Sequence, residues 1–271
     1  MDAFQAIVLG LVQGLTEFLP ISSSGHLRIV PALMGWEDPG AAFTAVTQFG
    51  TMLAVLVYFR QDLWRVAVTW LRSLRDPSLR SSLDARMGWY IIVGTIPISV
   101  FGLAFQGPIE TTARDLYLIG TMLVVLGIVL YLADHTASRR RDIEGLTMRD
   151  GILIGFAQAL ALIPGVSRSG ATMSAGLLLG FDRASAARYS FLLSVPAVVL
   201  SGLFQLGDIG GEGSAPAVPT AIATVLAFVS GYASIAFLLK FLVTHTFDVF
   251  VIYRIGLGVL VLALAGSGAI A

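Results

Sequence analysis

Long runs of apolar residues without a single charged side chain are the feature that most constrains this chain. They cover residues 41–59, 87–105, 116–133, 189–206 and 218–239, and a sixth run, residues 255–271, follows Arg254. Each run is close to the roughly 20 residues that a helix needs to cross a bilayer. Because lipid-exposed backbone is satisfied only in helices or closed barrels, and no alternating strand pattern is present, we predict an all-α polytopic membrane protein with six full transmembrane helices.

Composition excludes several classes of function. The chain has 271 residues, 13% charged side chains and a formal net charge of zero, which gives no reason to expect a nucleic-acid partner. Cysteine is absent, which excludes disulfides, cysteine nucleophiles and thiolate metal sites. Polar clusters inside the apolar segments must then line a polar cavity or face water, because an unpaired buried charge is energetically costly.

Two such polar clusters follow proline residues that interrupt apolar helices. The first lies in residues 13–26, Gln-Gly-Leu-Thr-Glu-Phe-Leu-Pro-Ile-Ser-Ser-Ser-Gly-His, and the second in residues 164–172, Pro-Gly-Val-Ser-Arg-Ser-Gly-Ala-Thr. Pro20 and Pro164 are the predicted helix breakers. The residues that follow each break are predicted to form a helix that is too short to span the membrane.

An internal repeat relates the two clusters. Shifting the sequence by 145 positions pairs Gly10 with Gly155, Gln13 with Gln158, Leu15 with Leu160, Ser22 with Ser167, Ser24 with Ser169, Gly25 with Gly170, Leu33 with Leu178 and Phe59 with Phe204. No gap is needed over this stretch, which favours a duplicated unit. We predict one integral membrane domain, residues 1–271, built from repeats at about residues 1–133 and 146–271.

Basic residues predict the orientation of the loops, because arginine and lysine are enriched on the cytoplasmic side of membrane proteins. Residues 60–86 carry six arginines and residues 134–149 carry four, so both segments are predicted as cytoplasmic loops. The loop around Glu110 and the loop from Gly207 to Pro219 are rich in acids relative to bases and are predicted outside.

The repeat and the loop charges together predict that the two halves are inverted. The helix that ends at Phe59 enters a cytoplasmic loop, whereas its repeat partner, which ends at Phe204, enters an external one. Six full spans with both termini outside require residues 1–35 and 150–180 to be two re-entrant helical hairpins. Broken helices in matching positions of inverted halves are typical of a binding site near the membrane midplane.

The residue types at the breaks predict phosphate chemistry. Serine-rich turns that lead into a helix leave backbone N–H groups free for an anion, which Ser22, Ser24, Gly25, Ser167, Ser169 and Thr172 would surround. Arg168 adds a bidentate donor that matches phosphate. Glu17 would hold a divalent cation, Mg²⁺ or Ca²⁺, or act as a base, while His26 could transfer a proton and a neighbouring serine could be the nucleophile.

The two motifs resemble those of the undecaprenyl-pyrophosphate phosphatase family of bacterial inner membranes. Residues 13–26 are similar to its E/Q-x-x-x-E motif with the serines and histidine that follow, and residues 164–172 to its P-G-x-S-R-S-x-x-T motif. The resemblance implies removal of the terminal phosphate of undecaprenyl pyrophosphate, which regenerates the lipid carrier of peptidoglycan synthesis. It also implies dependence on a divalent metal, a link to bacitracin resistance and a site open to the periplasm.

The resemblance assigns roles to individual residues. Glu17 is the second acid of the motif. Ser23 is the candidate nucleophile, with an activated water as the alternative, and His26 is its proton-transfer partner. Arg168 and Ser167 bind the pyrophosphate. At position 13 this chain has glutamine, whereas the family motif more often has glutamate. A metal ion bound by Glu17 and Gln13 would therefore have one negatively charged ligand fewer.

Two other classes of function are compatible with parts of the pattern. A lipid-phosphate transporter or flippase would share the inverted repeats and paired hairpins, and a serine intramembrane protease would share serine and histidine in membrane helices but not the G-x-S-x-G turn. Arg254, next to the last apolar run, is expected to extend toward the membrane surface or a lipid phosphate. A homodimer is compatible with the sequence.

Overall fold

The computed structural model describes residues 1–105, 107, 114–205 and 217–270, without the side chains of residues 41, 42 and 201–205. Eleven α-helices make up most of these ranges, and no β-strand occurs in them. In chain order they are α1 (Ala3–Phe18), α2 (Ser23–Met34), α3 (Gly40–Tyr58), α4 (Arg60–Ser73), α5 (Leu83–Ala104), α6 (Leu116–Thr136), α7 (Met148–Ala159), α8 (Arg168–Leu178), α9 (Arg183–Gln205), α10 (Ala217–Phe241) and α11 (Asp248–Gly266). The all-α prediction is confirmed.

Four of these helices, α5, α6, α10 and α11, are long and apolar enough to cross a bilayer. Helices α3 and α4 pass the same test as a pair that is bent by 72°, which would make a fifth span. The chain is therefore a multi-pass membrane protein. Residues 189–205 of the fourth predicted run lie in α9, which is not among these helices, so the count of six full spans stays a prediction.

The segment 60–86, which we expected to be a loop, is largely helical. After Phe59 the chain turns and forms α4, whose Val66 and Ser73 are buried. Helix α4 packs on α5, where Gly88 leaves room for the ring of Trp70. The expectation was wrong because Arg60, Arg65 and Arg72 lie in an amphipathic helix that packs on α5 and buries Val66 and Ser73. The predicted external loops fall almost entirely outside the described residues.

Both predicted helix breaks are confirmed. Helix α1 ends at Phe18 and α2 begins at Ser23, while α7 is followed by the 3-10 turn Leu160–Leu162 and α8 begins at Arg168. The N-cap residues of α2 and α8 are the repeat-related Ser22 and Ser167, with φ of 74° and 73°. Positive φ is uncommon for residues other than glycine. Its occurrence at matching positions of the two repeats indicates that both breaks have the same backbone conformation for a functional reason.

Each broken helix packs closely on a long helix of the other half. Helix α1 packs on α10, and Gly10 is required there because a Cβ atom would collide with the backbone of Ala223. Helix α7 packs on α5 in the same way, with Gly155 against the backbone of Gly94. Such small residues let membrane helices approach closely, and these two contacts hold the breaks inside the protein.

Candidate active site

The carboxylate of Glu17 joins side chains from both helix breaks. Glu17 lies in the last turn of α1, one turn after Gln13, whose Nε2 donates to Glu17 Oε2 at 3.2 Å. The hydroxyl of Ser23, at the start of α2, donates to the same oxygen at 2.5 Å. Glu17 Oε1 accepts from Nη2 of Arg168, the first residue of α8. The structure thus brings four predicted site residues into direct contact.

This cluster is largely shielded from solvent. The side chains of Glu17 and Arg168 are 7% and 15% exposed. A buried ion pair loses much of its Coulomb energy to desolvation, so it is weak evidence for a purely stabilising role. A phosphate group that approaches Arg168 would compete with the Glu17 carboxylate for the same donor. The pair therefore occupies the place where an anionic ligand could be bound.

His26 points toward α11 and not toward Ser23. Its Nδ1 donates to the carbonyl of Ser22 at 2.7 Å, because a carbonyl oxygen can only accept. In the neutral ring Nε2 is then the acceptor, and it lies 2.7 Å from the hydroxyl of Tyr253. The Tyr253 ring also stacks on the imidazole. Since Ser23 already donates to Glu17, the geometry favours Glu17 over His26 as its proton acceptor.

Most of the other predicted phosphate-binding hydroxyls are used within the protein. Ser22 Oγ and Ser167 Oγ accept from the backbone N–H groups of Gly25 and Gly170 and so cap α2 and α8. Ser169 Oγ donates to the carbonyl of Leu19 at 3.0 Å, which links the two breaks. The two remaining side chains differ in exposure. Thr172 is buried and bonds to Ser190, whereas Ser24 is exposed.

The position of Arg254 differs from the one expected from the sequence. It does not extend to the membrane surface, since it lies inside α11 and is completely buried. Its Nη1 donates to the carbonyl of Pro20 at 3.0 Å, and its Nη2 donates to Gly165 and Val166 at 3.2 and 3.1 Å. The guanidinium is therefore in contact with both helix breaks.

Comparison with known proteins identifies the family. Residues 6–260 match the family model described as bacitracin resistance protein BacA. The chain belongs to the BacA family. An "Undecaprenyl-diphosphatase" of a Nocardioides species is 56% identical over 272 residues, which cover 100% of this chain and 99% of that protein. The resemblance read from the two motifs is thereby confirmed.

Two further relatives match over similar lengths. "Undecaprenyl-diphosphatase 2" of Streptomyces avermitilis is 53% identical over 100% of this chain and 97% of its own length. "Undecaprenyl-diphosphatase" of Thermobifida fusca is 54% identical over 99% of this chain and 92% of its own length. This chain is therefore similar to these BacA family proteins along almost its entire length.

Sequence reasoning missed Tyr253 as a site residue in this BacA family chain and misread Arg254. The usable signal was Arg254 itself, because a charged residue inside a membrane helix is by default a functional candidate. The last apolar run begins at residue 255, whereas α11 begins at Asp248 and so contains both Tyr253 and Arg254. No local pattern indicated that Tyr253 would reach His26.

The donor set suits a divalent cation only together with a phosphate ligand. Mg²⁺ and Ca²⁺ prefer oxygen ligands, and Mg²⁺ is commonly held by one or two carboxylates plus substrate phosphates. Glu17 supplies one carboxylate, which Arg168 neutralises in this structure, and Gln13 can add one neutral amide oxygen. The residues therefore fit a cation that binds jointly with an anionic substrate.

Proposed function

We propose that this BacA family protein hydrolyses undecaprenyl pyrophosphate to undecaprenyl phosphate and inorganic phosphate. The observation that carries the proposal is the meeting of Glu17, Ser23 and Arg168 from two separate helix breaks. An acid, a hydroxyl and a guanidinium in one shielded cluster suit phosphoryl transfer. The names of the three relatives support the substrate.

Substrate binding begins at Arg168. Its guanidinium can donate two parallel N–H groups to the oxygens of the terminal phosphate, in a geometry that an ammonium group cannot match. The phosphate then replaces the Glu17 carboxylate as the partner of Arg168, which leaves Glu17 free to accept a proton. The N-termini of α2 and α8, which follow the two breaks, add positive dipole ends.

Ser23 is the proposed nucleophile. Its oxygen forms a bond to the terminal phosphorus, the bond from that phosphorus to the bridging oxygen breaks, and undecaprenyl phosphate leaves. Glu17 takes the hydroxyl proton, and the 2.5 Å contact between the two side chains supports this direction of transfer. Glu17 passes this proton to the departing undecaprenyl phosphate, which regenerates the carboxylate. In the second step a water loses a proton to Glu17 and its oxygen bonds to the phosphorus, the bond between that phosphorus and the Ser23 oxygen breaks, and Glu17 returns the proton to the Ser23 oxygen as phosphate leaves.

A direct test of the nucleophile is to trap the enzyme during turnover. Protein that is acid-quenched with substrate should carry phosphate on the peptide containing Ser23, detected by mass spectrometry, and Ser23→Ala should lack it. Turnover without any phosphopeptide, together with more than a tenth of wild-type activity in Ser23→Ala, would assign the attack to a water instead.

A divalent cation, Mg²⁺ or Ca²⁺, supplies charge neutralisation of the pyrophosphate when bound. In this chain the oxygens of Glu17 and Gln13 would hold it. We expect chelator-treated protein to lose phosphate release and to recover it on addition of either ion. Full activity in the presence of excess chelator would remove the cation from the proposal.

The membrane arrangement proposed for this function is two inverted repeats with six full spans and two re-entrant hairpins. The matching caps Ser22 and Ser167, and the matching close contacts of Gly10 and Gly155, support the duplication. We place the protein in the bacterial inner membrane, with a site open to the periplasm and a role in recycling the carrier for peptidoglycan synthesis.

The orientation can be measured with a single cysteine. The chain contains none, and Ser24 is exposed at the first break, so Ser24→Cys gives one reactive thiol. In intact spheroplasts a membrane-impermeant maleimide should label it. Labelling only after the membrane is opened would place the site on the cytoplasmic side.

Phosphate release from purified protein and undecaprenyl pyrophosphate is the experiment that tests the function as a whole. Release that depends on Glu17 and Arg168 supports a phosphatase. Transfer of the lipid across vesicle membranes without release of phosphate would favour the flippase alternative. The homodimer stays a prediction, which the mass of the detergent-solubilised protein by light scattering would test.

A further inference from the structure

We propose that Arg254 is a positioning residue that holds the two helix breaks at the spacing the reaction needs. This role rests on the proposed phosphatase function of the same site. The inference goes beyond the residues of the two sequence motifs, because Arg254 lies in α11, far from both along the chain.

The charge of Arg254 has an unusual set of partners. The side chain is 0% exposed, and isolated charges inside a membrane protein are costly unless polar groups surround them. Other arginines of the described ranges that enter the protein pair with a carboxylate, as Arg183 does with Asp134 and Arg141 with Asp150. The partners of Arg254 recorded in the same ranges are carbonyl oxygens, including that of Leu123 in α6.

These carbonyls belong to the segments where α1 and α7 have ended. A buried carbonyl outside a helix has no intrahelical donor and needs another hydrogen-bond partner. Pro20 and Gly165 occupy the same position in the two repeats, 145 residues apart. One guanidinium therefore satisfies equivalent carbonyl oxygens from both breaks.

The position of these carbonyls couples Arg254 to the reacting groups. Glu17 lies three residues before Pro20, and Arg168 lies three residues after Gly165. The guanidinium also packs under the first turn of α8, since a Cβ atom at Gly170 would lie 2.9 Å from its Nη1. A change in the spacing of the breaks would thus move Glu17 and Ser23 relative to Arg168.

The kinetic test compares Arg254→Gln and Arg254→Lys with a matched control, Arg183→Gln. Arg183 is also largely buried and donates to Asp134 at 2.6 Å, but its pair lies outside the two breaks. For Arg254→Gln we expect kcat to fall about a hundredfold with a smaller change in KM, because small displacements of reacting groups cost rates of that order. Arg254→Lys should recover part of kcat, since it keeps the charge but not the fork of donors.

The control separates positioning from stability. Arg183→Gln leaves a buried carboxylate without its partner, so we expect a lower melting temperature. Its kcat per folded molecule should stay within about threefold of wild type, since Arg183 contacts neither break.

A distance measurement reports the geometry without relying on activity. Leu33 and Leu178 are exposed, repeat-related residues near the far ends of α2 and α8. Because the chain has no native cysteine, spin labels at Leu33→Cys and Leu178→Cys give one defined distance distribution. We expect Arg254→Gln to broaden or shift it and Arg183→Gln to leave it unchanged.

The proposal is overturned if Arg254→Gln keeps kcat within about threefold of wild type, well short of the loss expected for displaced groups, and the distance distribution does not change. If Arg254→Gln does not fold, Arg254→Lys decides, and a wild-type kcat per folded molecule together with an unchanged distribution overturns the proposal. Active Glu17→Ala or Arg168→Ala variants would instead refute the proposed function. Inactive Glu17→Ala and Arg168→Ala beside a normal Arg254→Gln would remove only the positioning role.

Discussion

The two helix breaks have nearly the same backbone and different chemistry. Both have a serine N-cap with positive φ, and in both the serine hydroxyl accepts from the N–H of the glycine three residues later. Both also give a carbonyl at the same repeat position to Arg254. The backbone of the site is thus present twice, once in each half.

The side chains at matching positions have diverged. At the positions of Glu17, Ser23 and His26 in the first break, the second break has Leu162, Arg168 and Ala171. The first break thus contributes the acid and the hydroxyl, and the second contributes the cation that pairs with that acid. The difference shows how two breaks with a similar backbone contribute side chains of complementary charge to one cluster.

The largest effect should come from the pair that joins the breaks. Glu17→Ala and Arg168→Ala should each lower kcat about a thousandfold or more, because each removes a group that acts in the transition state. The kcat of the double variant should be no lower than that of the less active single variant, since the two side chains act as a unit. Phosphate release, with circular dichroism to verify folding, measures both. Near-normal activity in either single variant would show that the breaks do not form the active site.

A smaller effect is expected from Tyr253→Phe, which keeps the ring stacked on His26 but removes the hydroxyl. This variant tests the proton-transfer role that the resemblance assigns to His26: with that role kcat falls about tenfold, because His26 loses the group that orients Nε2, and without it kcat is unchanged. Tyr117→Phe is the control, because the Tyr117 hydroxyl also donates to one partner, the carbonyl of Ala265 at 3.0 Å. Equal losses of kcat in the two variants would contradict a specific role for Tyr253.

The repeat-related glutamines allow a test of the comparison at one position. Gln13→Glu places a second carboxylate beside Glu17, which should lower the Mg²⁺ concentration for half-maximal activity about tenfold, since ligand charge tunes cation affinity. Gln158→Glu is the matched variant in the other break, and it should leave that concentration unchanged in the folded protein. A titration of activity with Mg²⁺ distinguishes them, and no change for Gln13→Glu would exclude position 13 from the cation site.

The smallest effect concerns protein stability and a residue of α7, Gln158. Gln158 is completely buried, and its amide has no hydrogen-bond partner within the described part of the chain. Gln158→Leu should raise the free energy of unfolding by about 1 kcal/mol, because an unsatisfied buried amide is removed. Thermal unfolding in detergent measures this change, and activity should stay the same. A loss of activity would show that the amide of Gln158 serves the reaction.

Much of the fold could be predicted because its signals are local. The length of the apolar runs predicted α5, α6, α10 and α11, and Pro20 and Pro164 predicted the breaks. Helix α4 was missed because its arginines were read as loop charges, although its buried face packs on α5. Local composition reports how far a segment prefers lipid or water, but not which neighbour covers one face of a helix.

The sequence by itself determined the helical membrane class and both breaks, and it predicted that Glu17 and Arg168 belong to one site. These follow from the hydrophobicity of short segments, from proline chemistry and from a repeat that the chain carries in its own order. Only the tertiary structure decided that Ser23 donates to Glu17, that His26 faces Tyr253, and that Arg254 binds the carbonyls of both breaks. The physical reason is that these last contacts join residues between 89 and 234 positions apart, or depend on which way a side chain turns once the helices have packed.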